Sequence, residues 1–264
     1  MCVAYMAIQA NPDWPLFIAA NRDEFHQRAA LPAAPWPGHP RVIAGIDCAG
    51  RGTWLGVTLQ GRFGLLTNYR DPSHVKPTAP SRGKLLADYL TGDMEPGPYA
   101  RHIADTGAIY NGFNLVVGNL RHTYYVGNRS PTPAPQALTP GRYVLSNHLL
   151  DTPWPKVQRL RSALDHFDLD QMDMTLDPLF EILKDGTQAQ EHVLPDTGLS
   201  RERERLLSSP FIISPDYGTR CSTIVAIHAS GRALLSEISY DPAGTATERH
   251  DWPFHLETQS LARN

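Results

Sequence analysis

The residue with the most chemistry to offer stands at the start of the chain. Cys2 follows Met1, and removal of an initiator methionine would leave a cysteine whose own α-amino group, pKa about 7.7–8.0, lies beside its thiol. One residue then supplies a nucleophile and a base, the logic of N-terminal nucleophile hydrolases. The alternative reading makes Cys2 a small apolar residue opening a core strand. Next come four polar residues, Asn21-Arg22-Asp23-Glu24, directly after the apolar run 16–20. A short turn at residues 11–14 would fold that run back antiparallel on the first strand and bring Asp23 to the side of Cys2. A carboxylate there orients an amine, and Arg22 pairs with a substrate carboxylate or with Asp23 itself. A capped turn with a surface ion pair is the plainer alternative. Asn68 and Asn147 end two further apolar runs, where side-chain amides can stabilise a developing oxyanion, although asparagine is also an ordinary turn residue. Arg220 precedes another strand and completes a charged rim.

These groups need a scaffold of strands. Apolar, β-branched and aromatic runs predict strands at 3–8, 16–20, 41–46, 54–59, 63–68, 115–120, 124–127, 143–147, 222–228 and 233–239. Gly61 and Gly231 each sit between two such runs, which suits tight antiparallel hairpins. Three amphipathic helices interleave: Leu85, Leu86, Tyr89 and Leu90 after Ser81; Val157, Leu160, Leu164 and Phe167 after Pro155; and Leu176, Leu179, Phe180 and Leu183 around Asp177-Pro178, which reads as an N-cap and first turn. Hairpins with a few helices indicate α+β layers, helices packed on sheets. No break in composition divides the chain, so one domain, 1–264, is expected.

Composition narrows the function. The chain has 264 residues, 41% of them hydrophobic and 19% charged, enough to build a core without disulfide or metal staples. Its net charge is −3 and no stretch is strongly basic, which argues against a nucleic-acid partner. Three cysteines are widely spaced, without a C-x-x-C pair for zinc or redox work. The eleven histidines form no metal-ligand spacing. The longest apolar run falls well short of the roughly 18 residues that span a bilayer, and no basic residue precedes Arg22, so neither a transmembrane segment nor a secretory signal is expected. These features point to a cytoplasmic or organelle-matrix protein with reduced thiols. Phosphate-binding loops, dinucleotide fingerprints, zinc-protease helices and serine-hydrolase elbows are missing from the sequence.

The ordered motifs Met1-Cys2, Asn21-Arg22-Asp23-Glu24-Phe25, Gly52-Thr53-Trp54-Leu55-Gly56, Thr67-Asn68-Tyr69, Tyr110-Asn111-Gly112-Phe113-Asn114-Leu115, Gly127-Asn128-Arg129, Leu145-Ser146-Asn147 with Thr152-Pro153-Trp154, and Tyr217-Gly218-Thr219-Arg220 resemble the NRDE family. That family includes the transport and Golgi organisation two proteins, and the resemblance runs over nearly the whole chain. It implies the N-terminal nucleophile fold, a four-layer αββα sandwich with two stacked antiparallel sheets. At greater distance the chain is similar to the penicillin V acylase and bile salt hydrolase group. The nucleophile, turn aspartate, two asparagines and arginine of that group fall on Cys2, Asp23, Asn68, Asn147 and Arg220. Where the group has an arginine before its turn asparagine, this chain has Ala20; Arg22, two positions later, shares that strand face. Asn21, Arg22, His26 and Tyr69 are then the expected substrate-binding residues.

Two functions follow from the resemblance. The first is a cysteine-type amidohydrolase that cleaves a linear carbon–nitrogen amide bond of a small acylated substrate and requires no cofactor or metal. The second is a ligand-binding protein without turnover, since family members have been implicated in haem trafficking and in lipid or acyl-coenzyme A homeostasis. Haem carriage would need an apolar slot and an axial ligand, for which His26 and Cys2 are the candidates. A scaffold that recruits a protein through its surface is a third reading.

Overall fold

The structure is a computed structural model that describes residues 2–132, 134–173 and 175–257. In chain order the elements are β1 (Cys2–Ile8), β2 (Leu16–Phe25), β3 (Ala30–Trp36), β4 (His39–Asp47), β5 (Leu55–Thr58), β6 (Phe63–Asn68), α1 (Gly83–Thr91), α2 (Pro96–Thr106), β7 (Phe113–Gly118), β8 (Thr123–Gly127), β9 (Gln136–Leu138), β10 (Gly141–Leu145), α3 (Pro155–Leu164), α4 (Asp177–Leu183), α5 (Arg201–Leu206), β11 (Tyr217–Ile227), β12 (Arg232–Tyr240) and β13 (Ala246–His255). The strands form a six-stranded sheet, β10-β1-β2-β11-β12-β13, and a seven-stranded sheet, β3-β4-β5-β6-β7-β8-β9. Every named pairing is antiparallel.

Side-chain alternation explains why the sheets stack. Successive residues of a strand face opposite sides, and in β1 both sides are apolar. Ala4, Met6 and Ile8 join Leu55, Val57, Phe63 and Leu65 in a core between the sheets. Val3, Tyr5 and Ala7 face outward against Val157, Leu160, Leu179 and Phe180 of α3 and α4. On the other sheet Leu66, Leu115 and Val117 pack outward on Leu86, Tyr89, Leu90 and Ile103 of α1 and α2. Three cores separate four layers in the order αββα, the architecture that the resemblance implied. Each large side chain buried in these cores contributes about 1.5–3 kcal/mol, so the central strands, with apolar residues on both faces, are the most strongly anchored.

Several elements differ from expectation, each for a physical reason. β2 continues through Asn21-Arg22-Asp23-Glu24 to Phe25 instead of ending in a turn, because those polar groups find partners inside the fold. β10 ends at Leu145, so Ser146 and Asn147 lie just beyond it. The residue before α1 is Arg82, with no side-chain cap, and Leu176, not Asp177, precedes α4.

One buried carboxyl joins the two sheets. Glu237 of β12 accepts hydrogen bonds from the backbone N–H of Ala33 in β3 and from Thr223 Oγ1, both at 2.7 Å. Burial pushes its pKa above the ordinary 4.5. Protonation of Glu237 therefore contributes stability that is full below pH 4.5 and is lost as pH rises through the folded-state value. Glu237→Gln is expected to raise the melting temperature relative to wild type, by more at pH 8 than at pH 5 in paired thermal melts. A gain that is larger at pH 5 would contradict this account.

Candidate functional site

The register of three strands assembles the site. Cys2 pairs with Arg22 across β1 and β2, and Arg22 pairs with Cys221 on its other side. Their row is about 10 Å wide at the usual strand spacing, too wide for a disulfide between Cys2 and Cys221, and both are free thiols. Asp23 pairs with Thr219, after which the register of β11 shifts at Arg220. The shift is a β-bulge, a device that re-aims side chains at a strand end.

Alternation sends Cys2 and Arg22 to the space between the sheets, where they line a cavity of about 510 Å³ together with Asp23, Glu24, Arg28, Asp47, Trp54, Asn68 and Arg82. Arg22 stacks on the Trp54 ring at 4.4 Å and reaches Asp47 Oδ2 at 3.3 Å. Arg28 meets the same oxygen at 2.7 Å and Glu24 at 3.8 Å. Asn68 is among the residues that line the cavity, and its side-chain amide makes no hydrogen bond among the described residues. Its backbone carbonyl is fixed by Asn147 Nδ2 at 2.9 Å, while Ser146 Oγ donates to the Cys2 carbonyl at 2.9 Å. The segment after β10 thus ties the end of β6 to the start of β1.

Behind Asp23 lies a buried network that the sequence did not disclose. Thr219 Oγ1 donates to Asp23 Oδ1 at 2.8 Å, and Lys156 Nζ stands 3.6 Å from Oδ2, with both side chains at most 1% exposed. Next to this pair, Arg70 Nη1 donates to Glu204 Oε2 at 2.5 Å, and the Arg70 guanidinium lies 4.6 Å over the Trp154 ring. Glu204 is held in turn by the backbone N–H and hydroxyl of Thr197. The spacing Lys156, Leu160, Leu164 was the one available signal, since it places the lysine on the apolar stripe of α3.

Burial dominates the electrostatics. It raises the Cys2 pKa, helped by the Asp23 charge and opposed by Arg22 and the Asp23 backbone N–H, so the resting sulfur is a thiol at neutral pH. Burial also raises Asp23, against the pull of Lys156 and of the Thr219 hydrogen bond. It lowers Lys156, with Arg70 adding repulsion and Asp23 opposing. A buried nucleophile, a carboxylate and an amine whose pKa values are pushed toward one another are suited to proton transfer within one cluster.

The structure gathers Cys2, Arg22, Asp23 and Asn68 at the cavity and places the other expected residues elsewhere. Asn147 is fully buried and uses its amide to support Asn68. Arg220 Nη1 donates to the carbonyls of Phe25 and His26 at 3.3 and 2.7 Å, bracing that turn. Asn21 faces the outer helical layer and donates to the Leu183 and Pro210 carbonyls. His26 Nε2 lies 2.9 Å from the Ser214 carbonyl, outside the cavity lining, and Tyr69 stacks on His148 at 5.0 Å. Among the described residues no group of three metal-ligating side chains converges, and no helix is long and apolar enough to cross a membrane.

The sequence profile of the family Transport and Golgi organisation 2 matches residues 1–242. The Transport and Golgi organization 2 homolog of Mus musculus is 32% identical, with 98% of this chain and 100% of that protein covered. The homolog of Homo sapiens is 33% identical over 90% and 93%, and the protein of Drosophila melanogaster 28% over 95% and 97%. Among solved structures, a Caenorhabditis elegans ortholog of N-acylethanolamine-hydrolyzing acid amidase superposes with a TM-score of 0.46 at 10% identity, covering 84% of this chain and 92% of that one. A mutant conjugated bile acid hydrolase from Clostridium perfringens gives 0.39 at 9%, covering 99% and 100%. Neither likeness transfers a substrate to this chain.

Proposed function

The chain belongs to the Transport and Golgi organisation 2 family, and from the site between its sheets we propose that it is a cysteine amidohydrolase of the N-terminal nucleophile type. One observation carries the reading: Cys2, Asp23 and Asn68 line a single cavity, with Lys156 behind the Asp23 carboxylate and no hydrogen bond to the Asn68 side-chain amide among the described residues.

The chemistry begins once Met1 has been removed. The thiol proton of Cys2 passes to the α-amine, and Sγ attacks the carbonyl carbon of the amide. The carbonyl π electrons move to oxygen, and the Asn68 amide donates to that oxyanion. Collapse re-forms the carbonyl and breaks the carbon–nitrogen bond, and the departing amine takes the proton from the Cys2 ammonium. A thioester remains on Sγ. Water then attacks it, giving its proton to the amine, and a second collapse releases the carboxylic acid as the proton returns to sulfur. Asp23 orients the amine, and Lys156 balances the Asp23 charge. Arg22 is held against Trp54 and Asp47 at the cavity wall, and Asn147 supports Asn68 from behind.

Intact mass of natively expressed protein, before and after acid quench with an amide substrate, tests the proposal. The expected result is a chain that starts at Cys2 and gains the mass of an acyl group. Retention of Met1 in the native protein would defeat it.

A second reading, ligand binding without turnover, draws on a different place. An apolar groove of about 370 Å³ on the outer face of β11 to β13 is lined by Trp14, Met172, Leu176, Phe254 and His255 among others. Such a slot suits an acyl chain or a porphyrin face, whereas the charged walls beside Cys2 suit neither. Spectral titration with haem, repeated on His255→Ala, is the test: binding that saturates in the wild type and weakens in the variant supports it, and no saturable change excludes haem.

A further inference from the structure

The charges around the cavity are matched pairwise with one exception. Asp47 is taken by Arg22 and Arg28, Glu24 by Arg28 and Asp23 by Lys156. Arg82 is left over. Its Nη1 donates to the Gly112 carbonyl at 2.8 Å, and no carboxylate among the described residues comes within 4.0 Å of its guanidinium. The charge whose field supports it first is Glu24, which Arg28 already holds. The position is built rather than incidental. Gly52 lies so close to the start of α1 that a Cβ there would meet the Gly83 carbonyl carbon at 2.2 Å, and Thr53 N donates to the Gly83 carbonyl at 3.1 Å. That contact sets the residue before α1 on the cavity wall.

A largely buried cation without a counter-charge is costly unless a ligand supplies the anion. A guanidinium fork matches a carboxylate best. We propose that Arg82 receives a carboxylate carried by the substrate, so that the amide cleaved at Cys2 belongs to a small acidic molecule, either an N-acyl amino acid or a monoamide of a dicarboxylic acid. This rests on the hydrolase reading for the cleavage but not for the binding of the anion.

Iodoacetate and iodoacetamide separate the two, because they deliver the same reactive carbon with and without a negative charge. Alkylation of the full chain, mapped by peptide mass, is followed at Cys2 and at the exposed Cys48 as an internal standard. The iodoacetate-to-iodoacetamide rate ratio at Cys2 is expected to exceed that at Cys48 by about tenfold, the effect of one charge-assisted contact. Arg82→Gln should bring the two ratios together, and Arg82→Lys should keep most of the preference. Equal ratios in the wild type, a measurement that needs no variant, would overturn the proposal, as would a preference that survives Arg82→Gln. Turnover then places the carboxylate. Cleavage of N-acetylglycine over N-acetylglycinamide puts it on the departing amine, and cleavage of succinamate over butyramide puts it on the acyl side; equal cleavage within both pairs overturns the substrate class. A charge preference at Cys2 with no cleavage of any of these amides leaves Arg82 as an anion receptor and removes the hydrolase reading alone.

Discussion

Cys2→Ala protein is expected to fold and melt close to wild type while forming no acyl adduct, its turnover reduced by at least about 10³-fold. In the proposed chemistry the sulfur is the atom that forms the new bond, and no neighbouring group replaces it. The structural loss is small: the residue is 9% exposed, and removing one sulfur from a position at the cavity wall costs about 1 kcal/mol or less. Cys2→Ser retains the α-amine but places a weaker nucleophile beside it, so an intermediate rate is expected. Single-turnover kinetics with intact-mass detection reads all three proteins. Wild-type turnover by the alanine protein would end the catalytic account.

Asp23 and Lys156 carry the second large effect, on stability. Each single replacement, Asp23→Asn or Lys156→Met, is expected to cost about 3–5 kcal/mol, a fall in melting temperature of roughly 6–20 °C. The reason is that one charge then loses the partner that justified its burial. It escapes by changing its protonation state: neutralising a carboxyl of ordinary pKa 3.8 at pH 7 costs about 4 kcal/mol, and deprotonating a lysine of ordinary pKa 10.5 costs about 5 kcal/mol. The double variant has no charge to neutralise and is expected to melt well above the sum of the two losses. The signs are consistent. The raised pKa of Asp23 means that its contribution is full below pH 3.8 and is lost as pH rises through the folded value. The lowered pKa of Lys156 means that its contribution is full above pH 10.5 and is lost as pH falls through the folded value. Acid protonates Asp23 and alkali deprotonates Lys156, so the advantage of the double variant over Lys156→Met should shrink toward acid pH and that over Asp23→Asn toward alkaline pH. Additive losses would show that the two groups do not share a charge balance.

The sequence carried the strand framework wherever apolar alternation was strong. β6 was legible from Phe63 to Asn68 because both its faces are buried among apolar neighbours. β3 was not, since Pro32 and Pro35 argue against a strand; it lies at a sheet edge, where a missing N–H costs no ladder bond. β13 was hidden for the related reason that an edge tolerates charge, and Glu248, Arg249, His250 and Asp251 break the pattern. At the site, Cys2 beside Asp23 followed from one short turn and the antiparallel register. Lys156, Arg70 and Glu204 did not, because their burial depends on partners far away in the chain: Arg70 and Glu204 are 134 residues apart, and no local pattern pairs them. Asn147 and Arg220 are expected at the site from their places at strand ends and from the resemblance, while the structure gives their donors to backbone carbonyls.

β1 lies between β2, which follows it directly, and β10, whose Leu145 meets Ala4. The strand that carries Cys2 therefore takes its final place only when residues 141–145 dock on its other edge, a pairing of long sequence separation whose loop-closure cost puts it late in folding.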